Sequence, residues 1–453
     1  MADIIIIDAP CGAGKTSWAI QEMDNCPDTS YVFCTPFLSE AQRIIDSCKK
    51  HCFTEPKSWE QSKIDDFNSL LKENKDIAVT HSTFLNATPQ TIQLIEEGHY
   101  TLIIDEALDV VQDFNDIHGV QIDAAQKIDK SSIQLLRDGG FIRIAEQGKV
   151  EWIGGHYDGG KFQVVERLAT AGRLYLVNDT VMVCVYPPEV FRAFEAVYVL
   201  TYLCEGSPIC PYFEMFGIGY KKMGITGNHE TGYALCEHTS EGDRAFRALC
   251  AEKVHLCDNH AMLDAYTKSA LSKKWYDNHI RRCDNDIKKL KSHVTNFYRR
   301  IGAKATDLIT YSIIDRDGTR IEVQSTGLMW TCYKPYERAV RGKGYTSGKR
   351  LTMADGKDVQ ERITCFVPSN AKASNKYRVR WALAYLINMY YPPYMAAFFN
   401  SGGVSFNTDC YAVSCLVQWI CRSRIRDGNP IELYLPSERM RKLYRRWIMG
   451  KFS

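Results

Sequence analysis

Between a run of four isoleucines and a helix-like segment lie Ala9, Pro10, Cys11, Gly12, Ala13, Gly14, Lys15, Thr16 and Ser17. Ala9, then four residues, then Gly-Lys-Thr is the Walker A spacing, with Ala in place of the first Gly. Gly12 and Gly14 let backbone N–H groups close around an oxyanion, and a helix beginning near Lys15 adds its positive end. Lys15 is placed to reach β- and γ-phosphates, and Thr16 to offer a hydroxyl to Mg²⁺. A second acidic site stands in "HYTLIIDEALDVV". Asp105 and Glu106 follow a short apolar run, where ligands gather in open α/β sheets. Asp105 is expected to hold Mg²⁺ through water, and Glu106 to orient or deprotonate the attacking water.

These groups need strands that end at one edge. "DIIIID", "YVFCT", "DIAVT", "TLIID" and "VYVLT" are continuous apolar runs of the kind that fill buried parallel sheets. "SWAIQEM" continues from the loop as a helix, and "LSEAQRI" reads as another with Ser39 at its cap. The expected class is α/β, with mostly parallel sheets and helices on both faces.

The 453 residues suffice for two or three domains. Net charge is only +2, yet Trp330–Ser453 holds 21 Lys and Arg against 8 Asp and Glu. A basic C-terminal third points to a polyanionic partner or to an arginine-rich active site. No segment is long and apolar enough to span a membrane, and the N-terminus does not read as a signal peptide. The seventeen cysteines then read as reduced thiols of a cytoplasmic protein. Cys236, His238, Cys250, His255, Cys257 and His260 match no paired zinc spacing.

The order of these motifs resembles superfamily 2 helicases, and more narrowly the helicase-like proteins of phages and plasmids of Gram-positive bacteria. That resemblance implies two RecA-like P-loop NTPase domains with ATP between them. It extends along most of the chain. "YVFCTPFLSEAQRI" resembles motif Ia, and "VTHSTF" a strand-end motif that also touches nucleic acid; Thr35 and Thr80 would make those contacts. "VYVLTYLCEG" resembles motif III, with Thr201 sensing the γ-phosphate. "GLMWTCYKPY" resembles motif IV and offers Lys334 to a phosphate. "CFVPSNAKASNKYRVRWALAYLIN" resembles the motif V region, with Asn370 and Asn375 at a strand-to-helix turn. "LVQWICRSRIRDGNPIELYLP" resembles motif VI. Gln418 would line the nucleotide, and Arg422 and Arg426, one turn apart if the helix continues, would act as arginine fingers. The pattern departs in places. Motif II is Asp-Glu-Ala-Leu, Cys421 stands where motif VI has Gly, and Ile425 stands where its second Arg belongs, so Arg424 and Arg426 are rival fingers. No upstream adenine-reading Gln motif precedes the first strand.

The expected domains are 1–212, with an insertion near 113–174 marked by hairpin-like glycines, a largely helical linking region over 213–325, and 326–453. The basic stretch from Leu271 to Ile301 reads as one or two long helices with a solvated face or a nucleic-acid track. The loop-like Lys343–Asp358 is a further candidate for DNA contact. Together these features imply an ATP- and Mg²⁺-dependent motor on single-stranded or forked DNA, working with other replication proteins in phage or plasmid replication or recombination. In that setting the compartment is the bacterial host cytoplasm. Two other classes use the same loop: a P-loop phosphotransferase, and a helicase-fold regulatory protein without unwinding activity.

Overall fold

The computed structural model describes residues 2–58, 62–117, 120–282, 284–314, 320–346, 350–352, 358–362, 364–371 and 375–452. The chain divides into two compact units. The first takes Met1–Ala9, Ala13–His238 and Tyr391–Thr408; the second takes Pro10–Gly12, Thr239–Tyr390 and Asp409–Ser453.

The first unit is built on strands β1 (Asp3–Asp8), β2 (Tyr31–Thr35), β3 (Ile77–Thr80), β4 (Thr101–Asp105), β5 (Ala196–Thr201), β6 (Lys221–Asn228) and β7 (Gly232–Glu237). They form one sheet in the order β7-β6-β1-β5-β4-β2-β3. All neighbours run parallel except β6 and β7. The inner strands read as unbroken apolar runs because both sheet faces are covered. Helix α1 (Lys15–Asn25) packs Trp18, Ala19 and Met23 against Ile7, Phe33, Ile103 and Leu200. Helix Leu38–Ser47 starts from Phe37, so Ser39 lies inside the helix rather than at its cap.

Register fixes what the sheet can present. Asp8 pairs with Thr201, Leu200 with Asp105, and Thr35 with Thr80. The carboxyl ends of five adjacent parallel strands therefore finish at nearly one level.

The insertion is larger than the glycine pattern suggested. Val111–Asp113, Val181–Val185 and Leu174–Val177 form a separate antiparallel sheet, and Ile142–Ile144 pairs with Val150–Trp152 as a hairpin. Phe114, Ile133, Leu136, Val165 and Leu168 give it a core of its own. Gln147 and Gly148 turn the hairpin with φ of 56° and 80°. Helix Pro393–Ser401, expected in the second domain, belongs to this first unit. The Tyr394 hydroxyl donates to Asp113 Oδ2 at 2.7 Å, and Phe398 meets Tyr175 edge-on at 5.4 Å.

In the second unit, β8 (Val254–Leu256), β9 (Leu328–Thr331), β10 (Ala382–Tyr385) and β11 (Ile431–Tyr434) form an all-parallel sheet in the order β8-β11-β10-β9. Between β8 and β9 run two basic helices, Lys273–Arg281 and α2 (Asn285–Arg300). Asp284 caps α2 by accepting from the Asp286 N–H at 3.0 Å. Ile287, Leu290, Val294, Phe297 and Tyr298 recur at helical spacing and enter the same core as Trp330, Ala384 and Tyr434. This corrects the separate linking region over 213–325. Its first strands complete the sheet of the first unit, and the rest builds the second unit's core. The apolar stripe of α2 fixes that outcome, because it would otherwise face water.

Candidate nucleotide site

The loop after β1 has the backbone an oxyanion cradle needs. Gly12 and Gly14 lie at φ of 84° and 92°, and Gly14 is the N-cap of α1. Gly12 and Ser17 are exposed, while Cys11, Ala13, Lys15 and Thr16 are half-buried, so the cradle is open to a ligand. The Lys15 ammonium donates to the Ala9 carbonyl at the mouth of the loop. The Thr16 hydroxyl lies 3.4 Å from each carboxylate oxygen of Asp105. That pairing puts one hydroxyl and one carboxylate side by side, as a hard cation requires. The donor set therefore fits a Mg²⁺–triphosphate.

Burial pushes the Asp105 carboxyl up to about 6, helped by the charge of Glu106 and opposed by Arg43 and Lys15. A bound cation would favour the ionised form. Glu106 lies at φ 63°, a left-handed conformation uncommon for a side-chain-bearing residue. Its N–H donates to the Leu200 carbonyl at 3.0 Å, which anchors the turn while the side chain stays half-exposed. Strain of this kind, held by surrounding structure, is typical of working sites.

Three residues absent from the sequence-based set support this edge. Asp8 is buried and accepts from the N–H groups of Leu203 (2.8 Å) and Cys204 (3.0 Å). It thereby holds Leu203 at φ 57° just past Thr201. Thr201 itself is buried at the end of β5, where its carbonyl accepts from the Ala9 N–H at 3.1 Å. His81 is buried with Nε2 3.1 Å from the Asp105 carbonyl, linking the strand-end motif to the acidic box. Tyr233 lies against Gly14: a Cβ there would stand 2.1 Å from its ring. Gln21 grips the Tyr233 backbone at both ends, at 2.8 and 2.9 Å. "DIIIID" ends on a carboxylate, which was a readable hint for Asp8; nothing in the spacing pointed to Tyr233.

The predicted nucleic-acid residues fare unevenly. Thr35 is fully buried and its hydroxyl has no hydrogen-bond partner among the described residues, which corrects its role as a surface contact. The exposed groups beside it are Phe37 and Leu38. Thr80 caps the short helix His81–Phe84 through the Thr83 N–H. Lys334 is exposed, ion-paired with Glu337 at 2.6 Å, and 4.9 Å from the Phe366 ring. Asn370 is exposed in a turn. The side chain of Asn375 lies outside the described residues, as do 347–349 and 353–357 of the Lys343–Asp358 stretch. Asn375 opens a short 3-10 helix over Asn375–Tyr377, and strand β10 follows it.

The arginine segment is also corrected. Helix α3 (Thr408–Ile420) stops before Arg422. Ser423 has extended backbone and accepts from the Ile425 N–H, opening a 3-10 turn over Arg424–Asp427 that Gly428 closes at φ 73°. Arg422 and Arg426 therefore do not share a helical face. Arg424 is tied locally: Nε donates to the Pro430 carbonyl at 2.6 Å, and the guanidinium lies 5.6 Å from the Trp381 ring. Arg422 is buried, and its Nε and Nη1 have no hydrogen-bond partner among the described residues. A buried guanidinium with unpaired donors is costly unless an anion completes it. Gln418 donates to the Ser414 hydroxyl at 2.9 Å, one turn back on α3.

Comparison with known proteins agrees with this architecture. A structure titled "XPD_APO" superposes with a TM-score of 0.51 at 14% identity, covering 99% of this chain and 95% of its own. The Xpd4 structure from S. tokodaii gives 0.47 at 13% identity, covering 98% and 94%. The first of these shows the tandem RecA-like α/β fold. Residues 249–448 match the domain family described as the YonV C-terminal Rossmann-like domain. That match begins close to where the second unit begins. The SPbeta prophage-derived uncharacterized protein YonV of Bacillus subtilis (strain 168) is 30% identical over 461 residues, covering 99% of each chain. With that identity over its whole length, the chain belongs to the YonV family.

Proposed function

We propose that this protein is an ATP-driven nucleic-acid motor, a DNA helicase or translocase that hydrolyses ATP to move along or unwind a strand. The observation that carries it is the grouping of Lys15, Thr16, Asp105 and Glu106 at one sheet edge, with Thr16 3.4 Å from Asp105. The shared XPD fold supports a motor over a small-molecule phosphotransferase, which needs no second RecA-like unit. Bound Mg²⁺ would draw charge from the β- and γ-phosphates. Thr16 and Asp105 would hold it; Gly12–Lys15 would grip the phosphates; Glu106 would take the proton of the attacking water. Arg422 is proposed to find in the γ-phosphate the anion its unpaired donors need, with Arg426 as the second finger and Thr201 and Gln418 beside the nucleotide. Lys334, Asn370, Asn375 and Thr80 are proposed strand contacts. The prophage origin of the relative named above supports service in phage or plasmid replication or recombination.

The test is ATP hydrolysis by the purified protein with and without single-stranded DNA. Stimulation by DNA, lost in Lys15→Ala, is expected. Hydrolysis indifferent to DNA would return the weight to a phosphotransferase, and no hydrolysis at all to a regulatory binding protein.

A further inference from the structure

Helix α2 turns two unlike faces outward and inward. Its inner face carries the five core residues named above. On the outer face a groove of about 280 Å³ is lined by Lys288, Lys291, Ser292, Thr295 and Asn296, and closed by Gly342 and Lys343 from the facing loop. The loop is fastened to the helix by Thr295, whose hydroxyl lies 2.9 Å from the Lys291 carbonyl and 3.3 Å from that of Lys343. Among the described residues no carboxylate lines the groove. The acidic groups of this helix, Asp284 and Asp286, stand at its N-terminal end, paired with His279. Glu337, the nearest acid in the chain before the loop, is taken by Lys334 and Arg341. Lys288, Lys291 and Lys343 form no ion pair with any described residue.

We infer that this groove is a seat for the phosphodiester backbone of a single nucleic-acid strand, separate from the motif-like strand ends. Charge complementarity argues for it: three ammonium groups and three neutral polar side chains converge, and among the described residues no acid lies in the groove to neutralise them. Spacing agrees. Residues 288, 291–292 and 295–296 recur every three to four positions, so donors repeat about every 5 Å along the helix. A strand laid along α2 meets a fresh donor at each step, and no base edge is read. Ser292 and Asn296 suit phosphate or sugar oxygens, and the lysines act as point charges. This inference rests on the motor reading for its ligand, but not for its geometry.

The experiment uses the full chain and a mixed-sequence single-stranded DNA, with a single-stranded RNA of equal length in parallel. Affinity is measured across a salt series for wild type, the triple variant Lys288→Gln/Lys291→Gln/Lys343→Gln, and Lys289→Gln as a control outside the groove. Each lost phosphate contact should lower the slope of log affinity against log salt by about 0.7, so the triple variant should lose about 2. Lys289→Gln should keep the wild-type slope, and DNA-free ATPase should be unchanged in all three. The replaced lysines are half-buried or exposed, and equal melting midpoints will show that folding is intact. A wild-type slope in the triple variant overturns the groove as a strand seat. If DNA stimulates ATPase while the slope is unchanged, the groove fails and the motor stands. If the slope falls but ATPase ignores DNA, the seat stands and the motor fails. Equal losses for DNA and RNA would mark a backbone grip indifferent to the sugar; loss for one alone would name the strand it takes.

Discussion

The phosphate loop after β1 and the arginine turn before β11 are both short, and both resemble motifs. The structure treats them differently. The loop is set by residues adjacent in sequence: two glycines with positive φ, a helix that starts at Lys15, and strands before and after. Local chemistry dictates its shape, so spacing alone revealed it. The arginine turn depends on where a helix stops. Ser423 caps a 3-10 turn and Gly428 ends it, so a spacing of four no longer means a shared face. A motif can be read from sequence when its backbone is locally determined. It is misread when a helix is extended past an unrecognised cap.

This contrast can be broken or sharpened by mutation. The largest effect is expected at Arg422. Arg422→Met should lower DNA-stimulated ATPase by about 10³-fold or more, as loss of an arginine finger does. Stability of the nucleotide-free protein should hold or rise, because an apolar side chain replaces a buried cation with unpaired donors. A variant that melts well below wild type would show that Arg422 is structural. Glu106→Gln should slow hydrolysis by about 10²–10⁴-fold while nucleotide affinity persists, measured by single-turnover kinetics and equilibrium binding. Gly14→Ala tests the loop from the backbone side. A φ of 92° and the Tyr233 ring both oppose a Cβ, so about 1–3 kcal/mol of stability should be lost along with nucleotide binding. Chemical denaturation of the single variant, and of Gly14→Ala/Tyr233→Ala, should show the second change recovering part of the loss. Thr35→Val should do least. Its hydroxyl is buried without a hydrogen-bond partner, so stability should stay level or rise slightly and strand affinity should not move.

Much of the first unit was legible in advance. β1, β2, β4 and β5 fall where apolar runs of four to six residues placed them, and the acids at their ends follow. The boundary at 325 was misplaced for a physical reason. The region after Phe213 lacks motifs but does not lack structure. β6 and β7 are short of branched apolar residues, β7 being the edge strand and β6 its neighbour, and β8 has only three residues. The amphipathic stripe of α2 was visible, but not the sheet it would cover. Asp8, His81 and Tyr233 were missed because each acts through a partner at least twenty-four residues away. Thr35 was misassigned because a strand's last residue can still be covered by what packs around it.

The most direct measurement is steady-state ATP hydrolysis by the 453-residue chain with Mg²⁺, titrated with mixed-sequence single-stranded DNA, beside Lys15→Ala. A rate that climbs and saturates with DNA in the wild type, and stays at background in Lys15→Ala, is the predicted result. A wild-type rate that does not respond to DNA, or a Lys15→Ala rate equal to wild type, would contradict the account.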